Sequence, residues 1–138
     1  MKVLVALPLT WLSSNFDLPV RDDHPAIQLV PSEQLAMLRY GAIAGANANE
    51  PIAVYDDRAK TIYLSENWTG ATAADISALV HELVHHLQNA TGLSYQCPGA
   101  REALAYEAQE KWLSLFGTNL LAQFDIDPMT LKLRTACM

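Results

Sequence analysis

Between Thr72 and Gly92 the apolar positions keep a helical rhythm, with Ile76, Leu79, Val80, Leu83, Val84 and Leu87 recurring three and four apart. That spacing predicts one long helix with an apolar stripe. Thr72 and Asp75 form a Thr-x-x-Asp start, close to a capping box, and Gly92 after Asn89-Ala90-Thr91 is a natural stop. A loop from Leu93 to Gly99 leads to another long helix, from about Ala100 to Phe116 and ending at Gly117. Asp127-Pro128, an N-cap followed by a first-turn proline, opens a short C-terminal helix.

Upstream the signals are shorter. Leu9 to Phe16 reads as a short helix, followed by a charged, proline-bearing segment from Pro19 to Pro25. Pro31-Ser32 opens a helix through about Tyr40, with Ser32 as N-cap and Glu33 in the first turn, and the small polar stretch Gly41 to Asn49 is a loop. Pro51 to Tyr55 and Thr61 to Leu64 are β-rich runs flanking Asp56-Asp57-Arg58-Ala59-Lys60, the pattern of a hairpin with a five-residue loop. They are the one strand signal, so any sheet is small. The expected fold is α+β, mostly helical, with one domain over residues 1–138.

Composition narrows the function classes. A chain of 138 residues supports one hydrophobic core, and 51% apolar with 17% charged residues is ordinary for a globular protein. The net charge of −6 offers no electrostatic footprint for nucleic acid or anionic lipid. Met1-Lys2 and the apolar run Val3 to Leu12 loosely suggest a secretory signal. However, Pro8 interrupts the run, no small-x-small cleavage site follows before Ser13-Ser14-Asn15, and the run is too short to span a bilayer. It is therefore read as part of the folded domain, with a cytoplasmic or an exported compartment left open. Cys97 and Cys137 fit either a disulfide in an oxidising compartment or two partly buried thiols.

The chemistry is concentrated in His81-Glu82-Leu83-Val84-His85, an H-E-x-x-H pattern in mid-helix. Residues four apart share a helix face, so both imidazoles can bind one metal ion. Glu82 sits about 100° around the helix from His81, placed to take a proton from water at the metal. Chance would produce this pattern roughly 0.006 times in such a chain, and satisfied core histidines are the bland alternative.

Val80 to Gln88 resembles the active-site helix of the zincin metallopeptidases. It departs from the metzincins, because Gln88 and Thr91 stand where their extended motif has Gly and His. A third ligand must come from elsewhere, since catalytic zinc takes three protein ligands and keeps one position open. Arg101 to Ala108 resembles the Glu-Ala-x-x-aromatic-x-Ala signature of small gluzincins, including ImmA/IrrE-like peptidases, which implies Glu102 as that ligand. Tyr106 occupies the place of a thermolysin-like Asp. The resemblance covers roughly Thr72 to Leu113. It implies a zinc cofactor, a peptide or protein substrate, and an edge strand that pairs with extended substrate, for which Thr61 to Leu64 is the candidate.

Helix geometry votes independently for Glu102. Glu107 and Lys111 form an i,i+4 pair with Glu110 and Ser114 on their side, whereas Glu102 lies about 140° from Glu107 on the half bearing Ala105, Trp112, Leu113 and Phe116. A carboxylate there needs a partner, and a cation is a good one; a helix-N-terminal acid stabilised by the macrodipole is the alternative. Of the remaining polar residues, Gln88 either orients a ligand or is solvated. His86 either polarises a transition-state oxygen or, as the more ordinary case, lies on the surface. Tyr106 either hydrogen-bonds a ligand or oxyanion, or packs in the core with its hydroxyl tied off. His24 has no recognisable role. The leading function is a zinc-dependent metallopeptidase with Glu82 as general base and His81, His85 and Glu102 as ligands. The competing one is a non-catalytic binding or sensor protein that keeps the metal site.

Overall fold

The computed structural model describes residues 2–16, 18, 24–40, 53–92 and 94–137. Its elements are α1 (Lys2–Asn15), β1 (Ala26–Val30), α2 (Ser32–Tyr40), β2 (Ala53–Asp56), β3 (Thr61–Ser65), α3 (Ala73–Thr91), α4 (Pro98–Ser114), α5 (Leu120–Phe124) and α6 (Pro128–Thr135). The class is α+β and mostly helical, with a small three-stranded sheet.

Helix α3 organises the rest. Thr72 caps it by accepting from Asp75 N, and Gly92 ends it in the left-handed region at φ 67°. The Asp75 carboxylate reaches back past the cap to the backbone N–H groups of Thr69 and Gly70, while Trp68 Nε1 donates to the Asp75 carbonyl. Every residue from Ser77 to Gln88 is buried. A helix covered on all sides needs neighbours on all sides; α4, α1 and β2 supply them.

Helix α1 runs further upstream than expected, because Pro8 does not end it. Val5, Leu9 and Leu12 are buried in the same core cluster as Leu79, Leu83 and Leu87 of α3, and Trp11 meets Trp112 edge-on at 5.1 Å. This packing carries the helix through a residue that removes one of its hydrogen bonds. No described helix is long and apolar enough to cross a membrane.

The sheet has the order β1-β3-β2. β2 and β3 form the expected antiparallel hairpin, but Asp56 pairs with Thr61, so the connection is residues 57–60 and one residue shorter than expected. Asp56 Oδ1 accepts from the N–H groups of Arg58 and Ala59 and so closes that turn. β1 was not expected; it lies parallel to β3, with Ala26 opposite Thr61. Ser32, expected as an N-cap, is instead the first helical residue: the Pro31 carbonyl accepts from Leu35 N, and the Ser32 hydroxyl bonds Ser65 of β3 at 3.1 Å. The expected loop Gly41 to Asn49 lies outside the described residues.

Helix α4 starts two residues early, with Pro98 in its first turn and Cys97 as N-cap, its sulfur accepting from Ala100 N. The apolar half expected of α4 holds for Ala105, Trp112 and Leu113, but Phe116 is 59% exposed beyond the helix end. α5 is an element the sequence reading did not contain, and α6 begins at Pro128 with Asp127 accepting from Thr130 N. Of the two cysteine alternatives, the structure has the disulfide Cys97–Cys137, which ties the start of α4 to the chain beyond α6. Gly99 permits this close approach, since a Cβ there would run into the Ala136 carbonyl. Gly99→Ala should therefore lower stability by about 1–3 kcal/mol, measured by denaturant unfolding, although alanine is the better helix former.

Candidate metal centre

Helices α3 and α4 lie antiparallel, and a row of polar side chains runs along their interface. Ser77, His81, His85 and Gln88 form a stripe on α3, and Gln109 and Glu102, two turns apart, form one on α4. His81 Nε2 lies 2.9 Å from Glu102 Oε2, and His85 Nε2 lies 2.9 Å from Glu102 Oε1. Ligating atoms of these three residues all fall within 4.8 Å of one another. The histidines are buried and the Glu102 side chain is 19% exposed.

The outer ends of the row determine where its protons are. Gln88 Nε2 donates to the Arg101 carbonyl, which can only accept, so Gln88 Oε1 faces His85 Nδ1 at 2.8 Å and receives its proton. Ser77 Oγ donates to the Ala74 carbonyl at 2.8 Å and therefore accepts from Gln109 Nε2. That turns Gln109 Oε1 towards His81 Nδ1 at 2.9 Å. Both imidazoles thus spend an Nδ1 proton outward, and both Nε2 atoms point at the two oxygens of one carboxylate. In their neutral form these are four converging acceptor atoms, an arrangement that a proton or a metal ion would satisfy. His85 Nε2, although close to Glu102, is a buried nitrogen with no hydrogen-bond partner among the described residues.

Electrostatics favour positive charge at the same point. Burial alone would push the Glu102 carboxyl up, but the contacts and charges of His81 and His85 outweigh it and hold the group well below the ordinary carboxylate range. Burial likewise disfavours the charged form of His85. Glu102, the charge of Glu82 and the bond to Gln88 reverse this and raise its pKa above the usual imidazole value.

A family model described as a domain of unknown function, DUF6647, matches residues 1–138. The chain belongs to the DUF6647 family. No curated protein and no solved structure matches it.

In this DUF6647 chain the expected site residues meet as the helix-face argument required: Glu102 faces the histidines, and Glu107 is exposed. Glu82 is buried on α3, close enough for its charge to act on His85. Of the open alternatives, Gln88 orients a histidine rather than being solvated. Tyr106 is a buried packing residue, its ring edge-on to His81 at 4.5 Å and its hydroxyl accepting from Arg134. The surface reading of His86 is overturned. It is buried and its Nδ1 lies 2.9 Å from Tyr55 Oη, a hydroxyl that Asn89 also bonds. Burial pushes the Tyr55 hydroxyl up, against the Asn89 bond that lowers it, so the phenol keeps its proton for His86. His24 is exposed just ahead of β1.

β3 cannot serve as the expected edge strand, because β1 and β2 occupy both of its sides; the unforeseen parallel strand converted an edge into the middle of the sheet. Sequence reasoning also missed Gln109 and Arg101. Arg101 clasps Asp57 in the hairpin turn through two bonds, of 3.0 and 2.6 Å, and donates to the His85 carbonyl. The only advance signal for Gln109 was its place seven residues after Glu102. Zinc titration against a competing chelator should show Glu102→Ala weakening affinity by more than about 100-fold, beyond the range of residues that merely support ligands. Glu107→Ala should leave affinity within the error of the wild type.

Proposed function

We propose that this DUF6647 chain is a zinc-dependent hydrolase, a metallopeptidase in which His81, His85 and Glu102 hold the metal and Glu82 is the general base. The observation that carries the reading is the convergence of two Nε2 atoms and a carboxylate, with ligating atoms all within 4.8 Å of one another. Two histidines and one glutamate are a donor set for catalytic zinc, which leaves one coordination position for water or substrate. When bound, zinc supplies Lewis acidity that makes water a nucleophile near neutral pH and polarises the scissile carbonyl. Glu82 follows His81 directly and lies beside His85, so it stands next to the metal ligands without belonging to the row. It takes the proton of the attacking water and delivers it to the leaving amine. The Cys97–Cys137 disulfide supports an oxidising, exported setting for this chemistry.

Metal analysis of purified protein, paired with a peptide-library cleavage assay with and without chelator, tests the reading. About one zinc per chain is expected, and the double change His81→Ala, His85→Ala should abolish binding. Glu82→Gln should retain zinc and lose about 10²–10⁴-fold in turnover, because the amide cannot accept the proton. Loss of zinc in that variant would make Glu82 a ligand and overturn the assignment. Full zinc occupancy with no cleavage of any peptide in the wild type would favour a binding or sensor role.

A further inference from the structure

We infer that Gln88 and Gln109 are positioning residues that lock His85 and His81 in the Nδ1-protonated form and so keep both Nε2 atoms free for a metal. The consequence for zinc rests on the function proposed above; the state of the imidazoles does not. Gln88 is oriented at its far end by a carbonyl, which can only accept, and Gln109 by a hydroxyl whose proton is turned to the Ala74 carbonyl. Gln88 Nε2 bonds the Arg101 carbonyl at 3.1 Å and Tyr95 Oη at 3.1 Å, and Gln109 Nε2 bonds Ser77 Oγ at 3.3 Å, whose own proton is spent on Ala74. Rotating the Gln88 amide would set its oxygen against the Arg101 carbonyl, leaving buried polar groups unsatisfied, and rotating that of Gln109 would draw the Ser77 proton away from the Ala74 carbonyl. Gln88 also does a second job. Its partner carbonyl belongs to the residue before Glu102, so one side chain fixes the ring of His85 and the helical turn that carries the third ligand.

These supports are neutral amides at a place where a carboxylate could also accept from Nδ1–H. Without them, each imidazole would be free to move its proton to Nε2, where the Glu102 carboxylate is the stronger acceptor. That form cannot bind a metal until the proton leaves.

Long-range ¹H–¹⁵N correlation spectra of the metal-free protein, with zinc titrations run in parallel, test this. In the wild type, both His81 and His85 should carry a proton on Nδ1. Gln109→Leu should move the His81 proton to Nε2, Gln88→Leu should do the same for His85, and each should weaken zinc binding about 10- to 100-fold. Gln109→Glu retains an acceptor for His81, with the Ser77 hydroxyl free to turn and donate to it, so it should keep Nδ1–H and restore most of the affinity. This rescue separates positioning from a general loss of packing and remains informative if a leucine variant folds poorly. Nδ1 protons that persist in the leucine variants, or are absent from the wild type, would overturn the inference, as would unchanged zinc affinity. A wild type with the expected imidazole protons and no affinity for zinc would instead sink the metallopeptidase reading alone.

Discussion

Two helices packed face to face must account for every proton in the polar row they enclose, and this constraint organises the molecule. The row ends on backbone carbonyls, of Ala74 at one side and Arg101 at the other. Carbonyls only accept, so with Ser77 and Gln88 donating to them the donors between point outward, and acceptors gather in the middle at His81, Glu102 and His85. Such a row is expensive to bury unless each group is satisfied, and incomplete satisfaction is worse than an apolar interface. A cation at the centre would complete it.

The surrounding elements hold the two helices in register for that purpose. The apolar face of α3 is packed by α1 and the sheet, with Val5, Leu9, Leu12, Ile62 and Leu64 in one cluster with Leu79, Leu83 and Leu87. The start of α4, one turn ahead of Glu102, is pinned twice. Cys97 is bonded to Cys137, and Arg101 bridges the hairpin turn at Asp57 and the His85 carbonyl. On the other side of α3, Tyr55 of β2 joins His86 and Asn89, so the hairpin is fastened to the same helix from which His81 and His85 project. Tyr106 closes the wall of the site with its ring against His81, and Arg134 of α6 holds its hydroxyl. Side chains carried on helices and held by buried bonds are preorganised, which is what a metal site would need if binding is not to include the cost of ordering its own side chains.

Much of this was legible locally. Thr72, Gly92 and Asp127 act as the caps their residue types announce, because capping is settled by atoms within a few residues. His81 and His85 share a face by helical periodicity alone, and the same periodicity separated Glu102 from Glu107 before any contact was known. What the local signals could not contain was decided between distant segments. Gln109 is 28 residues from His81, and nothing in its neighbourhood distinguishes a glutamine that orients a ligand from one that meets solvent. Ala26 to Val30 became a strand, and β3 a central one, only because β3 was there to pair with. Ser32 gave up a capping bond for Ser65, and Cys97 became a cap where Cys137 could reach it. By itself the sequence announced every described helix but α5, and which side chains could bind a metal, since turns, caps and periodicity act over a few residues. The orientation of the imidazoles, and their convergence on Glu102, arose only when α4 was laid against α3, because hydrogen-bond direction is set by partners that the chain brings together from afar.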